Sequence, residues 1–214
     1  MTAKQSGFSG AGRCVVGITG PTGSGKTTLG ERLAKHFGPR CVIISEDRYY
    51  KDLSHLPAAE RESVNFDHPD ALDWDALVRD LKALKAGRPV DAPVHDFRSH
   101  TRRAQAERLE PAPLVIVEGI LLLHAPGVRE ELDLKLYLDV APDIRFIRRL
   151  QRDIRDRGRT VDSVVKQYIE TVRPMYEKFI RPMAVFADIV LDTSLPVDVE
   201  PIARRVREVM ARSR

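Results

Sequence analysis

The sequence predicts an α/β fold: a five-stranded parallel sheet covered by helices and organised around a loop for nucleotide phosphates. Three observations carry this expectation. A complete G-x-x-x-x-G-K-[ST] match, Gly20-Pro21-Thr22-Gly23-Ser24-Gly25-Lys26-Thr27, lies between an apolar run and a helix-periodic stretch. Five short apolar runs fit for buried strands are spread along the chain, with helical patterns between them. Two of these runs have a carboxylate at or just past their end, Glu118 directly and Asp47 shortly beyond, where such sheets place ligands.

The first strand is Cys-Val-Val-Gly-Ile at 14–18, and the helix after the loop puts Leu29, Leu33 and Phe37 on one face. Gly20, Gly23 and Gly25 admit backbone conformations closed to other residues, so several N–H groups can turn to one anion. The helix N-terminus adds partial positive charge. In this pattern Pro21, Thr22, Ser24 and Thr28 complete the cradle. Lys26 reaches the β- and γ-phosphates, and the Thr27 hydroxyl binds Mg²⁺. The loop says that triphosphate binds and leaves the acceptor of any phosphoryl group open.

A second strand, Cys-Val-Ile-Ile at 41–44, runs into Ser45-Glu46-Asp47-Arg48-Tyr49-Tyr50. Asp47 there is either a base for an attacking hydroxyl or a turn-capping residue. Residues 55–72 show little apolar period, and within them Asn65-Phe66-Asp67-His68-Pro69-Asp70-Ala71 is too polar and ring-rich for core. Asp73 is placed to cap a helix through Ala86, with Leu77, Leu81 and Leu84 on one face, Trp74 as a packing anchor and Gly87 as its end. Residues 89–97 alternate loosely and hold two prolines, which predicts edge strands or a small hairpin. His95 and His100 near Phe97 give that segment a recognition character. Leu-Val-Ile-Val at 114–117 is the clearest central strand, and Glu118 after it stands where a Walker-B acid supports Mg²⁺. Further strands are expected at 134–140 and 187–191, and a sheet-packing helix at 197–210.

With 214 residues, 43% hydrophobic and 31% charged, the chain can build one globular domain, expected over 13–214 after a loose polar tail at 1–12. No apolar stretch approaches about 18 residues, so no membrane span is expected. The tail lacks a signal-peptide core, which makes a cytoplasmic location the expectation. Cys14 and Cys41 read as small core residues in a reducing compartment.

The mild basicity, +4 at neutral pH, is concentrated at 142–159, where seven arginines fall in eighteen residues. At about 100° per residue, Ile147, Leu150 and Ile154 share one face and Arg145, Arg149 and Arg152 the other. Such a helix is a solvated charged face, a nucleic-acid surface, or a lid whose arginines neutralise a transferring phosphoryl group. The phosphate loop in the same chain favours the lid, over about 142–162. Asp162 or Ser163 is expected to cap the next helix, and Pro174 to interrupt it.

The chain resembles the uridine kinase (uridine–cytidine kinase) family of P-loop nucleoside kinases from about residue 15 to 191. The resemblance rests on the loop at 20–28, Asp47-Arg48-Tyr49-Tyr50, the Asn-Phe-Asp-His-Pro-Asp-Ala run at 65–71, and His95-Asp96-Phe97 with His100 and Arg102. It rests also on Glu118-Gly119-Ile120-Leu121, Arg148-Arg149 through Arg152-Asp153 to Arg157-Gly158-Arg159, and Ala187-Asp188-Ile189. It implies transfer of phosphoryl from ATP or GTP, with Mg²⁺, to the 5′-hydroxyl of uridine or cytidine. It assigns Asp47 as base, Asp67 to the ribose hydroxyls, and Tyr50 and Phe66 to the nucleoside pocket. His100 reads the pyrimidine edge, Arg159 and Gln167 complete the site, Arg149 and Arg152 act from the lid, and Glu118 supports Mg²⁺. It also implies a homotetramer and a hairpin insertion at the acceptor site, with no nucleic-acid or membrane partner.

Two departures stand out. His95 occupies the place of the family's usual Tyr beside the base, and Arg48 replaces a small residue next to Asp47. Two other readings remain: a related kinase for another small acceptor, such as phosphoribulose or pantothenate, or a nucleotide-dependent switch or RNA-binding protein.

Overall fold

The structure is a computed structural model and describes residues 13–212. The expected tail at 1–12 lies outside the described residues. Five parallel strands form the central sheet: β1 (Cys14–Thr19), β2 (Cys41–Ser45), β7 (Leu114–Gly119), β8 (Leu134–Asp139) and β9 (Ile189–Asp192), in the order β2-β7-β1-β8-β9. All five expected strands are present. Successive side chains alternate between faces. Cys14, Val16 and Ile18 of β1 meet α1 (Lys26–Phe37) and α8 (Val199–Arg212), while Val15 meets the layer of α3 (Trp74–Lys85) and α4 (Pro126–Glu131). Both faces are covered, which is why these strands read as unbroken apolar runs.

Between α3 and β7 the chain makes one long hairpin in two ladders. An outer one pairs β3 (Val90–Ala92) with β6 (Glu107–Leu109), and an inner one pairs β4 (His95–Asp96) with β5 (Thr101–Arg102). The expected small hairpin is therefore found. A short α2 (Ala58–Glu62) stands in the stretch that lacked apolar period.

The arginine helix is α5 (Pro142–Arg157), followed by α6 (Val161–Gln167). Its orientation inverts the usual amphipathic rule. Arg145 and Arg149 are 2% and 6% exposed, whereas Ile147 and Ile154 are 51% and 40% exposed. The guanidinium face looks inward because what it meets is polar: the phosphate loop, Tyr168 and Gln167. The cap of α6 is also corrected. Thr160 accepts the Ser163 N–H at 3.2 Å, so neither Asp162 nor Ser163 is the capping residue. Past α6, the interruption expected near Pro174 takes the form of two π-helical turns, Tyr168–Val172 and Tyr176–Ile180, either side of a short α7 (Arg173–Met175). Such widened turns absorb a proline's missing N–H.

One close approach fixes the end of β7. A Cβ on Gly119 would lie 2.3 Å from Cβ of the fully buried Glu46. Gly119→Ala is expected to cost about 1–3 kcal/mol as overpacking. Chemical denaturation checks this; a midpoint equal to that of the parent protein would show that Glu46 yields freely.

Candidate active site

The phosphate loop crosses from β1 to α1 with Gly20, Gly23 and Gly25 at φ 145°, 76° and 85°, the left-handed region that favours glycine. At Gly23 there is no room either: an added Cβ would stand 2.5 Å from the Arg145 carbonyl oxygen of α5. Lys26 Nζ donates to the Pro21 carbonyl at 2.9 Å and is buried. Burial pulls its ammonium pKa down, and Glu118, Asp47 and Glu46 push back.

Three carboxyls surround it. Register places Ser45, Ile18 and Glu118 side by side at the C-terminal ends of β2, β1 and β7. Glu118 Oε2 accepts the Thr27 hydroxyl at 3.3 Å. Asp47 lies two residues beyond β2 in a 3₁₀ turn, Glu46–Tyr49. Burial raises its pKa, while a hydrogen bond from the Tyr50 hydroxyl and the charges of Lys26, Arg157 and Arg152 hold it down. Glu118 is likewise raised by burial and lowered by Lys26. Glu46 is raised furthest, by burial and by Asp47 beside it, although both its oxygens accept the Leu121 N–H. Arg48, the departure next to Asp47, reaches Glu107 of β6 at 2.6 Å.

Aromatic and imidazole rings gather on the hairpin side. Phe66 packs edge-on against Tyr50 and stacks on His100 at 4.9 Å. His95 meets Tyr50 and Phe97 edge-on, both at 5.2 Å. His100 adopts φ 54°, a left-handed conformation rare outside glycine and a sign of a constrained tip. Arg102 clamps the hairpin to this cluster, donating to the Tyr50 carbonyl and to Asp73, both at 3.0 Å. His95 is only 6% exposed, so the hairpin buries this ring. Burial, then the neighbouring His100, pushes its pKa down to about 4, so it is neutral at neutral pH. Both its ring nitrogens are buried without a hydrogen-bond partner among the described residues. Phe97 is mostly exposed and meets this cluster at His95.

The helix α5 closes the other side. Arg149 donates to the Thr22 hydroxyl at 3.1 Å and to Gln167 at 2.8 Å, and Arg159 also donates to Gln167. Arg149 acts on Asp67, lowering a carboxyl that burial raises. Arg148 anchors the helix base on the carbonyls of Thr193 and Ser194 at 2.9 and 3.2 Å. Arg145 lies over the Tyr176 ring at 3.6 Å.

Lys26, Asp47, Asp67, Glu118 and Arg149 thus act on one another through charge around the phosphate loop, and Arg152 adds its charge at Lys26, Asp47 and Asp67, while Phe97 stands outside this group. Glu46, Asp153, Tyr168 and Tyr176 were missed. Nothing in an acid beside an acid says which of Glu46 and Asp47 turns inward. Tyr168 and Tyr176, eight apart on a helical pattern, offered a shared-face signal.

The donor set fits a nucleoside triphosphate. Ser24 Oγ and Arg149 Nε are buried without hydrogen-bond partners among the described residues, and Lys26 Nζ has donors to spare. Thr27 and Glu118 fit Mg²⁺, which takes few protein ligands and completes its shell with water and phosphate.

Comparison with known proteins gives one direction. The model of the Phosphoribulokinase / Uridine kinase family matches residues 15–200. A uridine kinase of Chloroflexus aurantiacus is 45% identical over 199 residues, covering 92% of this chain and 95% of that one. A uridine kinase of Geobacillus kaustophilus is 47% identical over 178 residues, covering 83% and 84%. The solved D-glycerate 3-kinase of Cryptococcus neoformans shares the fold, with a TM-score of 0.63 at 19% identity over 87% of this chain and 88% of that one.

Proposed function

This chain belongs to the Phosphoribulokinase / Uridine kinase family, and from that premise we propose that it phosphorylates the 5′-hydroxyl of uridine or cytidine. It is a P-loop kinase. The observation that carries the nucleoside reading is the ring cluster of Tyr50, Phe66, His95 and His100 set against Asp47, which itself faces Lys26.

The donor is ATP or GTP, held on the loop from Gly20 to Thr28. Thr27 and Glu118 would hold Mg²⁺, which would supply charge neutralisation at the phosphates. Asp67 holds the ribose hydroxyls and Asp47 accepts the proton of the 5′-hydroxyl. The hydroxyl oxygen bonds to the γ-phosphorus as the bond to the bridging oxygen breaks, and the electron pair leaves with the nucleoside diphosphate. Lys26, Arg149 and Arg152 balance the charge, and Arg159 and Gln167 close the nucleoside site. A homotetramer in the cytoplasm accompanies this reading, supported by the family resemblance.

His95 gives the reading a specific form. A neutral imidazole offers one donor and one acceptor, so it can meet either a carbonyl or an amino group on the pyrimidine. His95→Tyr is expected to change the uridine-to-cytidine ratio of kcat/KM by about two- to tenfold, the worth of one hydrogen bond. Steady-state kinetics on both nucleosides measure it; if neither rate nor preference moves, His95 does not read the base. The whole reading is tested with labelled ATP and a panel of small acceptors. It ends if uridine and cytidine both stay unphosphorylated.

A further inference from the structure

We propose that Asp153 is a positioning residue that holds Arg149, Arg152 and Arg157 of α5, and Arg159 of the turn after it, in one fan beside the phosphate loop; this rests on the phosphoryl-transfer reading above. Asp153 is 0% exposed. Its Oδ1 lies 2.9 Å from Arg152 Nη2 and 3.5 Å from Arg157 Nη1, and its Oδ2 lies 3.5 Å from Arg149 Nε and 3.9 Å from Arg159 Nη1. One buried carboxylate therefore meets four guanidiniums. Its main-chain oxygen accepts the N–H groups of Gly158 and Arg159, so the same residue also fixes the turn that returns Arg159 to the site.

These four side chains face the chemistry. Arg149 reaches Thr22 of the phosphate loop, Arg152 and Arg157 act on the ionisation of Asp47, and Arg159 donates to Gln167. Guanidiniums do not deprotonate, so without Asp153 their mutual repulsion would splay them. Apolar burial does not compensate on this helix, whose Ile147 and Ile154 point outward. The pairing is also incomplete. Asp153 Oδ2 and Arg149 Nε are both buried, and neither has a hydrogen bond among the described residues. The Arg149 contact, held by charge more than by hydrogen-bond geometry, lets that guanidinium turn toward a second anion, such as the transferring phosphoryl group, while the carboxylate keeps its anchor in the Arg152 hydrogen bond at 3.0 Å.

Asp153→Asn keeps the shape and removes the charge. In the full-length protein it is expected to lower kcat at least about tenfold, with the KM for nucleoside changed less than about twofold. Binding of a fluorescent ATP analogue is expected to tighten at least about threefold, because one positive charge is no longer balanced. Adding Arg157→Gln to that variant is expected to recover part of kcat, a rescue that a purely structural role would not give. Both kcat and ATP-analogue affinity within about twofold of wild type would overturn the proposal. If Asp153→Asn does not fold, Asp153→Glu carries the test, since it keeps the charge and moves it by one methylene. There, at least about a threefold loss of kcat is expected, and an unchanged kcat overturns the proposal. If wild type turns over no nucleoside, the functional reading fails, and the ATP-analogue affinity alone decides for Asp153: an unchanged value overturns it.

Discussion

Asp47→Asn is expected to lower kcat by at least about a hundredfold and leave ATP affinity within about threefold. The amide matches the carboxylate in size and still accepts the Tyr50 hydroxyl bond, but it cannot take the proton of an attacking hydroxyl. A pH profile makes the assignment stricter. The base works deprotonated, and burial has raised its pKa, so wild-type kcat/KM should fall on the acid side at a pH above the ordinary aspartate range. Glu46 and Glu118 titrate in the same field, so the acid limb belongs to the cluster as a whole. The Asn variant should lose most of that limb along with its rate. Near-normal turnover in Asp47→Asn would remove Asp47 from the mechanism.

Lys26→Ala should be at least as severe, with kcat/KM for ATP down by about a hundred- to a thousandfold, the usual effect of deleting a preorganised charge at a transition state. Lys26 is buried and its Nζ is already oriented by the Pro21 carbonyl, so little reorganisation is needed when charge develops. Lys26→Arg should not restore the rate, because a planar guanidinium does not fit a slot shaped for an ammonium. Steady-state kinetics with circular dichroism on both variants separates lost chemistry from lost fold. Substantial activity in folded Lys26→Ala would contradict the role.

The sheet was legible because its central strands β1 and β7 are buried on both faces, so they appear as short apolar runs whatever their neighbours. The phosphate loop was legible because its glycines and lysine are required by local geometry. The orientation of α5 was not. Periodicity separates two faces but does not say which one turns inward; Ile147 and Ile154 fitted the core rule, yet the protein presents polar partners to that helix. Glu46 and Asp153 were illegible for a related reason. Their burial depends on partners far along the chain, such as Leu121 for Glu46, or on a fan of charges that only the folded helix assembles. His95 was legible as a recognition residue from its company, but not as a buried ring, because its cover comes from Tyr50 and Phe66.

The strand order has a consequence for synthesis. β1 emerges first, yet its two neighbours are β7 and β8, and Thr19 donates its hydroxyl proton to the Gly119 carbonyl 100 residues later. At about 5–20 residues per second, the ribosome needs roughly 5–20 s to deliver that partner. For that interval the nascent chain carries an apolar strand with both edges open, and its phosphate loop cannot yet meet Glu118. Slowing translation between residues 20 and 113 should therefore increase misfolding and chaperone dependence more than slowing it after residue 139.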